Sequence, residues 1–185
     1  MILMGVRHLE FVYGFHGCDK SVAKAVLEKK SVMLSSDNDY DWLGSGIYFW
    51  EEAPARAYEW AKWKFKDDAA VIGAKIRLGQ CLNLLDVAAY TPLRDTYEVL
   101  KTSGRAMPVN TKYYHRLDCF VINNATKYAE EILKTPYDTV RCPFLEGEPV
   151  FPDSKLYDKS HIQIAVRNPC ALVELFPVDL SELAL

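Results

Sequence analysis

Long apolar runs are missing from this 185-residue chain, although half of its residues are hydrophobic. No run approaches the roughly 20 residues needed to span a bilayer as a helix. The opening Met1-Ile2-Leu3-Met4, followed by Arg7 and His8, does not form a signal-peptide pattern. No membrane partner is expected, and the cytoplasm is the expected location. Cys-x-x-Cys spacing is missing too. The five cysteines stand singly at 18, 81, 119, 142 and 170, a set that supports neither a disulfide framework nor a zinc site. They read as reduced thiols, and no metal is expected. A basic excess is also missing, since the formal net charge is −3. A face built for duplex DNA is not what that total asks for. Lys62, Lys64 and Lys66 do alternate with Trp63 and Phe65, but a charge run of this kind reads first as a solvated helix surface. Repeats, low-complexity tracts and linkers are absent, so the length and the 12% aromatic content imply one domain, residues 1–185, with a sizeable core.

What is present alternates between two periods. Period-two patterning predicts strands over 9–16, 46–50 and 70–77, with 81–85 continuing the last, and two closing strands at 161–167 and 171–176. Helical spacing marks 21–30, with Asp19 or Ser21 as its cap, then 54–65 with Pro54 in the first turn, and 113–134. The segment 140–158 is rich in proline and glycine and reads as a long loop. These elements make an α+β domain.

Two short islands carry the chemistry. In the first, Phe15-His16-Gly17, a histidine ends an apolar strand and precedes a glycine. In the second, Gly44-Ser45-Gly46-Ile47-Tyr48-Phe49-Trp50, two glycines admit close approach of a ligand to the backbone and a short buried strand fixes Tyr48. A strand-borne histidine, a glycine-flanked tyrosine and nearby backbone donors suit a flat aromatic amide next to ribose hydroxyls, which describes the nicotinamide half of NAD.

His16-Gly17, followed by Gly44-x-Gly46-Ile47-Tyr48-Phe49 and an alanine- and tyrosine-bearing helix, resembles the ADP-ribosyltransferase family, in its poly(ADP-ribose) polymerase-like branch. That branch uses a His, Tyr and Glu triad. The third member falls on the strand His161-Ile162-Gln163-Ile164, where this chain carries Gln163 in place of glutamate. The resemblance implies split mixed or antiparallel β-sheets with flanking helices, NAD as co-substrate, and no metal. It implies that His16 bonds a ribose hydroxyl, that Gly17 and Gly46 offer backbone groups, and that Tyr48 and Tyr58 stack on nicotinamide. Gln163 accepts a hydrogen bond but cannot act as a general base, so transfer of a single ADP-ribose is expected rather than chain growth. Glu146-Gly147-Glu148 stands where related transferases carry a target-recognition loop, and its E-x-E spacing resembles a catalytic pair of another branch. Arg141 and Arg167 flank that region as candidates for a phosphate contact, and His161 shares a strand face with Gln163 and lines the same cleft in this reading.

The implied activity is mono-ADP-ribosylation of a macromolecular acceptor, protein or nucleic acid, by a compact enzyme resembling bacterial toxins of toxin–antitoxin or phage-defence systems. An antitoxin or inhibitor protein is then an expected partner. An NAD glycohydrolase, with water as acceptor, and an inactive module that binds ADP-ribose or a partner protein are the alternatives.

Overall fold

Apolar alternation through Phe11, Tyr13 and Phe15 on one side and Val12, Gly14 and His16 on the other draws the chain into a long strand, β1 (His8–Asp19). The computed structural model describes residues 8–39 and 41–183, with side chains from residue 11 onward except that of Glu182. The Met1–Met4 stretch lies outside the described residues. After β1 come α1 (Lys20–Leu27), β2 (Ile47–Glu51), α2 (Pro54–Phe65), β3 (Ala69–Gly79), β4 (Cys81–Asn83), α3 (Thr91–Thr102), α4 (Arg116–Glu131), β5 (Thr139–Phe144), β6 (His161–Val166) and β7 (Leu172–Pro177). Asp19 caps α1 by accepting the Ser21 N–H at 2.7 Å. Pro54 opens α2, where a missing N–H costs nothing.

The strands form an α+β sheet in the order β4-β5-β6-β2-β1-β3-β7, antiparallel throughout except for the β4–β5 pair. One sheet therefore replaces the two separate ones that the resemblance implies. The division survives as a seam: β1 and β2 share only the pairs Gly14–Glu51 and Phe15–Trp50, while β1 runs on along β3 and β2 along β6. Phe49, Ile76 and Ile164, all fully buried, fill the face under α1. Burying such a side chain stabilises by about 1.5–3 kcal/mol. On the other face, α2 lies over β1 and β3 through Ala57 and Val71, and α4 lies over β5 and β6 through Ile122, Val140 and Ala165.

Two expectations from the sequence are corrected. The segment 140–158 is not all loop, because its start is β5, flanked by both β4 and β6. Pro143 is tolerated there since β4 ends at Asn83, opposite Arg141, and leaves one edge of β5 free. Residues 81–85 do not continue β3; Gly79, at φ +59°, turns the chain into a separate parallel strand.

Candidate functional site

The central order β6-β2-β1 puts Gln163, Tyr48 and His16 on three consecutive strands. Strand alternation then sorts them. Tyr48, Trp50, His161 and Gln163 face the groove between α2 and α4, with Trp50 and Gln163 direct partners across β2 and β6. His16 lies on the α1 face, its ring 5.7 Å from that of Phe49. Where β1 and β2 separate, His16 spans the seam, with Nδ1 2.8 Å from the Tyr48 carbonyl oxygen. A carbonyl oxygen only accepts, so Nδ1 carries the proton and Nε2 presents a lone pair. Burial, and to a smaller degree Lys64, hold the imidazole below its ordinary pKa, so it is neutral. The ring keeps some surface contact with solvent, yet its surroundings desolvate it.

Gly17 is where α2 comes closest to the sheet. A Cβ built on Gly17 would stand 2.4 Å from the Ala57 carbonyl oxygen and 3.2 Å from the Ala61 methyl group. The glycine that the resemblance assigns to a ligand therefore also has a packing cause. Ala57 and Ala61, four residues apart and both fully buried, are the matching small side chains of α2. Tyr58, half-buried on the same helix, packs against the Trp50, Ala57 and Val71 cluster.

The Gly44–Gly46 loop is braced from three directions. Tyr48 donates its hydroxyl proton to the Gly44 carbonyl at 2.6 Å and accepts the Leu43 N–H at 2.9 Å. Burial pushes the phenol pKa far above its usual value, so the proton stays. Asn123 on α4 accepts the Ser45 N–H at 2.9 Å, and Arg167 donates to the Ser45 carbonyl at 2.8 Å. Gly44 takes φ +76°, and a Cβ there would meet Asn123 Oδ1 at 2.4 Å. Gly46 is pressed against Ala165 and Val166 of β6, with contacts of 3.1 Å. The hydroxyl of Tyr48 is thus structural, and the half-buried ring packs against the Leu43, Ile122 and Ala165 cluster under α4. Tyr48→Phe should lower stability by about 1–3 kcal/mol, because it leaves two part-buried backbone groups unpaired. Urea unfolding with an unchanged midpoint would refute that role.

The residues of the expected target loop separate. Arg141 is in β5 on the α1 face, bidentate to Glu51 through a 2.6 Å Nε–Oε2 bond and a second Nη2–Oε1 contact. Glu146 lies above the groove, where its carboxylate accepts Arg56 Nη2 at 2.8 Å and stands 3.7 Å from His161 Nδ1. Glu148 is exposed, and its N–H donates to Asp158 at 2.9 Å. His161 is buried and its Nδ1 is 2.7 Å from the Lys159 carbonyl oxygen. Sequence reasoning missed Trp50, Arg56 and Asn123. Trp50, two residues from Tyr48 in a strand, carried the period-two signal that would have placed it in the groove. A cavity of about 400 Å³ opens at the other end of β6, lined by Ser45, Thr126, Glu130, Asp138, Arg167 and Asn168 among others, and holds none of His16, Tyr48 or Gln163. The rings of Trp50, Phe144 and His161 and the charges of Arg56 and Glu146 converge in the groove, while His16 stands on the opposite face of the sheet. Among the described residues no cluster of three or more His, Cys, Asp or Glu side chains is set to hold a metal, and no helix is long and apolar enough to cross a membrane.

Comparison with known proteins adds one partial likeness. An uncharacterized protein of Methanocaldococcus jannaschii is 42% identical over 53 residues, which are 29% of this chain and 24% of that protein. The matched stretch thus spans about a quarter of that relative's length. No family model matches the chain. No solved structure matches it.

Proposed function

We propose that this protein is an NAD-dependent mono-ADP-ribosyltransferase that moves one ADP-ribose to a macromolecular acceptor, protein or nucleic acid. The observation that supports the reading is the seam: a neutral His16 with a free Nε2 lone pair, bound through Nδ1 to the backbone of Tyr48, whose strand lies between those of His16 and Gln163. Breaking the nicotinamide–ribose bond builds positive charge on the ribose, as in glycoside hydrolysis. His16 Nε2 accepts a ribose hydroxyl proton in a hydrogen bond and orients the sugar. The Tyr48 ring, with Tyr58 beside the groove, offers a stacking surface worth about 1 kcal/mol to nicotinamide. Gln163 turns its amide oxygen to the reacting ribose as an uncharged acceptor. A carboxylate there would both accept and carry a proton, so its absence favours one transfer over chain growth. Action as a toxin held by an antitoxin is part of the same proposal.

A second reading, NAD glycohydrolysis, is favoured by one observation. The segment over the groove is tied to α2 by Arg56–Glu146 and Lys159–Glu59 ion pairs, which admit water more readily than a large acceptor. Incubation with NAD labelled in the adenylate, in a lysate divided between protease and nuclease treatment, tests both. Label on a macromolecule supports transfer and free ADP-ribose alone supports hydrolysis. Unconsumed NAD would refute the proposal. Within it, Gln163→Ala should lower kcat by about 10–100-fold, less than the loss of a full oxyanion donor. Gln163→Glu should stay within about tenfold of the parent, because shape and acceptor are kept. A Gln163→Ala enzyme with unaltered kcat would remove Gln163 from the site.

A further inference from the structure

Among the described residues, three buried side-chain nitrogens lack a hydrogen-bond partner: Trp50 Nε1, Arg56 Nε and His161 Nε2. Buried polar groups in folded proteins are rarely left so, and three in neighbouring side chains point to a ligand. The side chains adjoin. The Trp50 and His161 rings are 6.2 Å apart, the Arg56 guanidinium carbon is 5.8 Å from the Trp50 ring centre, and Glu146 reaches both Arg56 and His161. They also abut the expected place of the reacting ribose. Trp50 is the cross-strand partner of Gln163, and His161 precedes Gln163 on the same face by one strand period, roughly 6.6 Å.

The protonation pattern is fixed by bonding. His161 Nδ1 donates to the Lys159 carbonyl, so Nε2 is an unprotonated base, while Trp50 Nε1–H and Arg56 Nε–H are donors. Two donors and one acceptor match an oxygen that accepts twice and gives one proton. A hydroxyl does this. A lysine ammonium or an arginine guanidinium has no lone pair to offer, and a carboxylate has no proton to give. We propose that Trp50, Arg56 and His161 form the acceptor subsite, that the acceptor is a hydroxyl group, and that His161 Nε2 takes its proton. The assignment rests on the transferase reading above.

In that step the acceptor oxygen bonds to the anomeric carbon of the ribose, and the bond from that carbon to the nicotinamide nitrogen breaks. Nicotinamide leaves neutral with the electron pair. The hydroxyl proton passes to His161 Nε2 and then to solvent. The charges around the imidazole come from Arg56 and Glu59 on α2, and from Glu146 and Lys159 on the covering segment. They pair off two against two, and Glu146 stands nearest to the imidazolium. His161 thereby supplies the base that Gln163 cannot. The acceptor enters where the Arg56–Glu146 pair parts.

Purified protein and NAD, with water alone, a serine peptide, an RNA oligonucleotide, or an arginine- and lysine-containing peptide free of hydroxyls, provide the test. Label should pass to one of the hydroxyl sources and not to the last peptide, the winning source telling water, protein and ribose hydroxyls apart. His161→Asn keeps the donor to the Lys159 carbonyl and loses the base. It should cut turnover about 100-fold with NAD affinity within threefold, and imidazole should restore part of the rate in His161→Gly. The acid limb of the parent's kcat profile should vanish in His161→Asn. Should that variant fail to fold, Trp50→Phe decides, with an acceptor KM raised about tenfold. NAD turnover in the parent, with full rate and an unaltered acid limb in His161→Asn, or an unchanged acceptor KM in Trp50→Phe, would overturn the subsite alone. Transfer to the hydroxyl-free peptide at an equal rate would do the same. No NAD consumption in any arm would overturn the transferase reading and this assignment with it.

Discussion

His16→Ala is expected to lower NAD consumption by about 10²–10³-fold, the cost of removing one positioned polar group from a reacting centre. The fold should survive. The side chain contributes one hydrogen bond across the seam, worth about 1 kcal/mol, and β1 remains paired to β3 along nearly its whole length. His16→Asn separates the two duties, since its amide N–H can still reach the Tyr48 carbonyl while nothing replaces Nε2. It should melt near the parent and be as inactive as the alanine variant. Activity within threefold of the parent in either would remove His16 from the site. The same residue sets a pH signature. Unfolded histidine takes a proton near 6.5, whereas burial lowers the pKa of folded His16. In the window between them the unfolded chain binds more protons, so stability is retained above 6.5 and declines as pH falls toward the folded value. His161 is shifted in the same direction, by burial first and with Arg56 adding to it. Melting temperatures from pH 8 to 5 should therefore drop less steeply for His16→Ala than for the parent, and parallel curves would refute the linkage.

Much of this fold is legible in the sequence where burial is one-sided and the stripe is wide. The spacing of Leu117, Phe120, Val121 and Ala125 marks α4, although its buried stripe is centred on Val121, Ile122, Ala125 and Ala129, and Ile47 with Phe49 marks β2. Helix α3 was not legible because its apolar stripe is thin: Leu100 is its one buried residue, with Leu93 and Tyr97 half-buried beside it. β5 was hidden by Pro143, whose meaning depends on where β4 stops, a tertiary fact. The site divides in the same way. The period-two relation of His161 to Gln163 could be read directly. That His16 and Tyr48 turn to opposite faces, and meet only through a backbone carbonyl at the seam, follows from the pairing register instead. The E-x-E spacing misleads, because Glu146 is drawn in by Arg56 while Glu148 stays exposed. The unpaired nitrogens of Trp50, Arg56 and His161 have no sequence signal at all, since being unpaired is a property of the folded surroundings.

Glu51→Ala should be the most destabilising single change outside the core, by about 3–5 kcal/mol, because it strands a buried guanidinium. The two side chains are 8% and 18% exposed, and their bidentate pair ties the end of β2 to β5 across the intervening β6. β2 ends at Glu51, and Glu52, at φ +51°, turns the chain toward α2. Loss of the pair therefore loosens the join that sets α2 over the groove. For a chain of this length the change corresponds to a fall in melting temperature of about 10 °C or more. The double variant Glu51→Leu with Arg141→Met should regain most of that stability, since a buried ion pair and an apolar pair of similar volume differ little in net free energy. The cycle also bears on catalysis. Both carboxylate oxygens of Glu51 are held by Arg141, so it does not supply the carboxylate that Gln163 lacks. Turnover per folded molecule in the double variant should stay within about threefold of the parent at 25 °C. A double variant as stable as the parent but devoid of turnover would bring the Glu51 carboxylate into the reacting centre beside His16, and the base role assigned to His161 would have to pass to it.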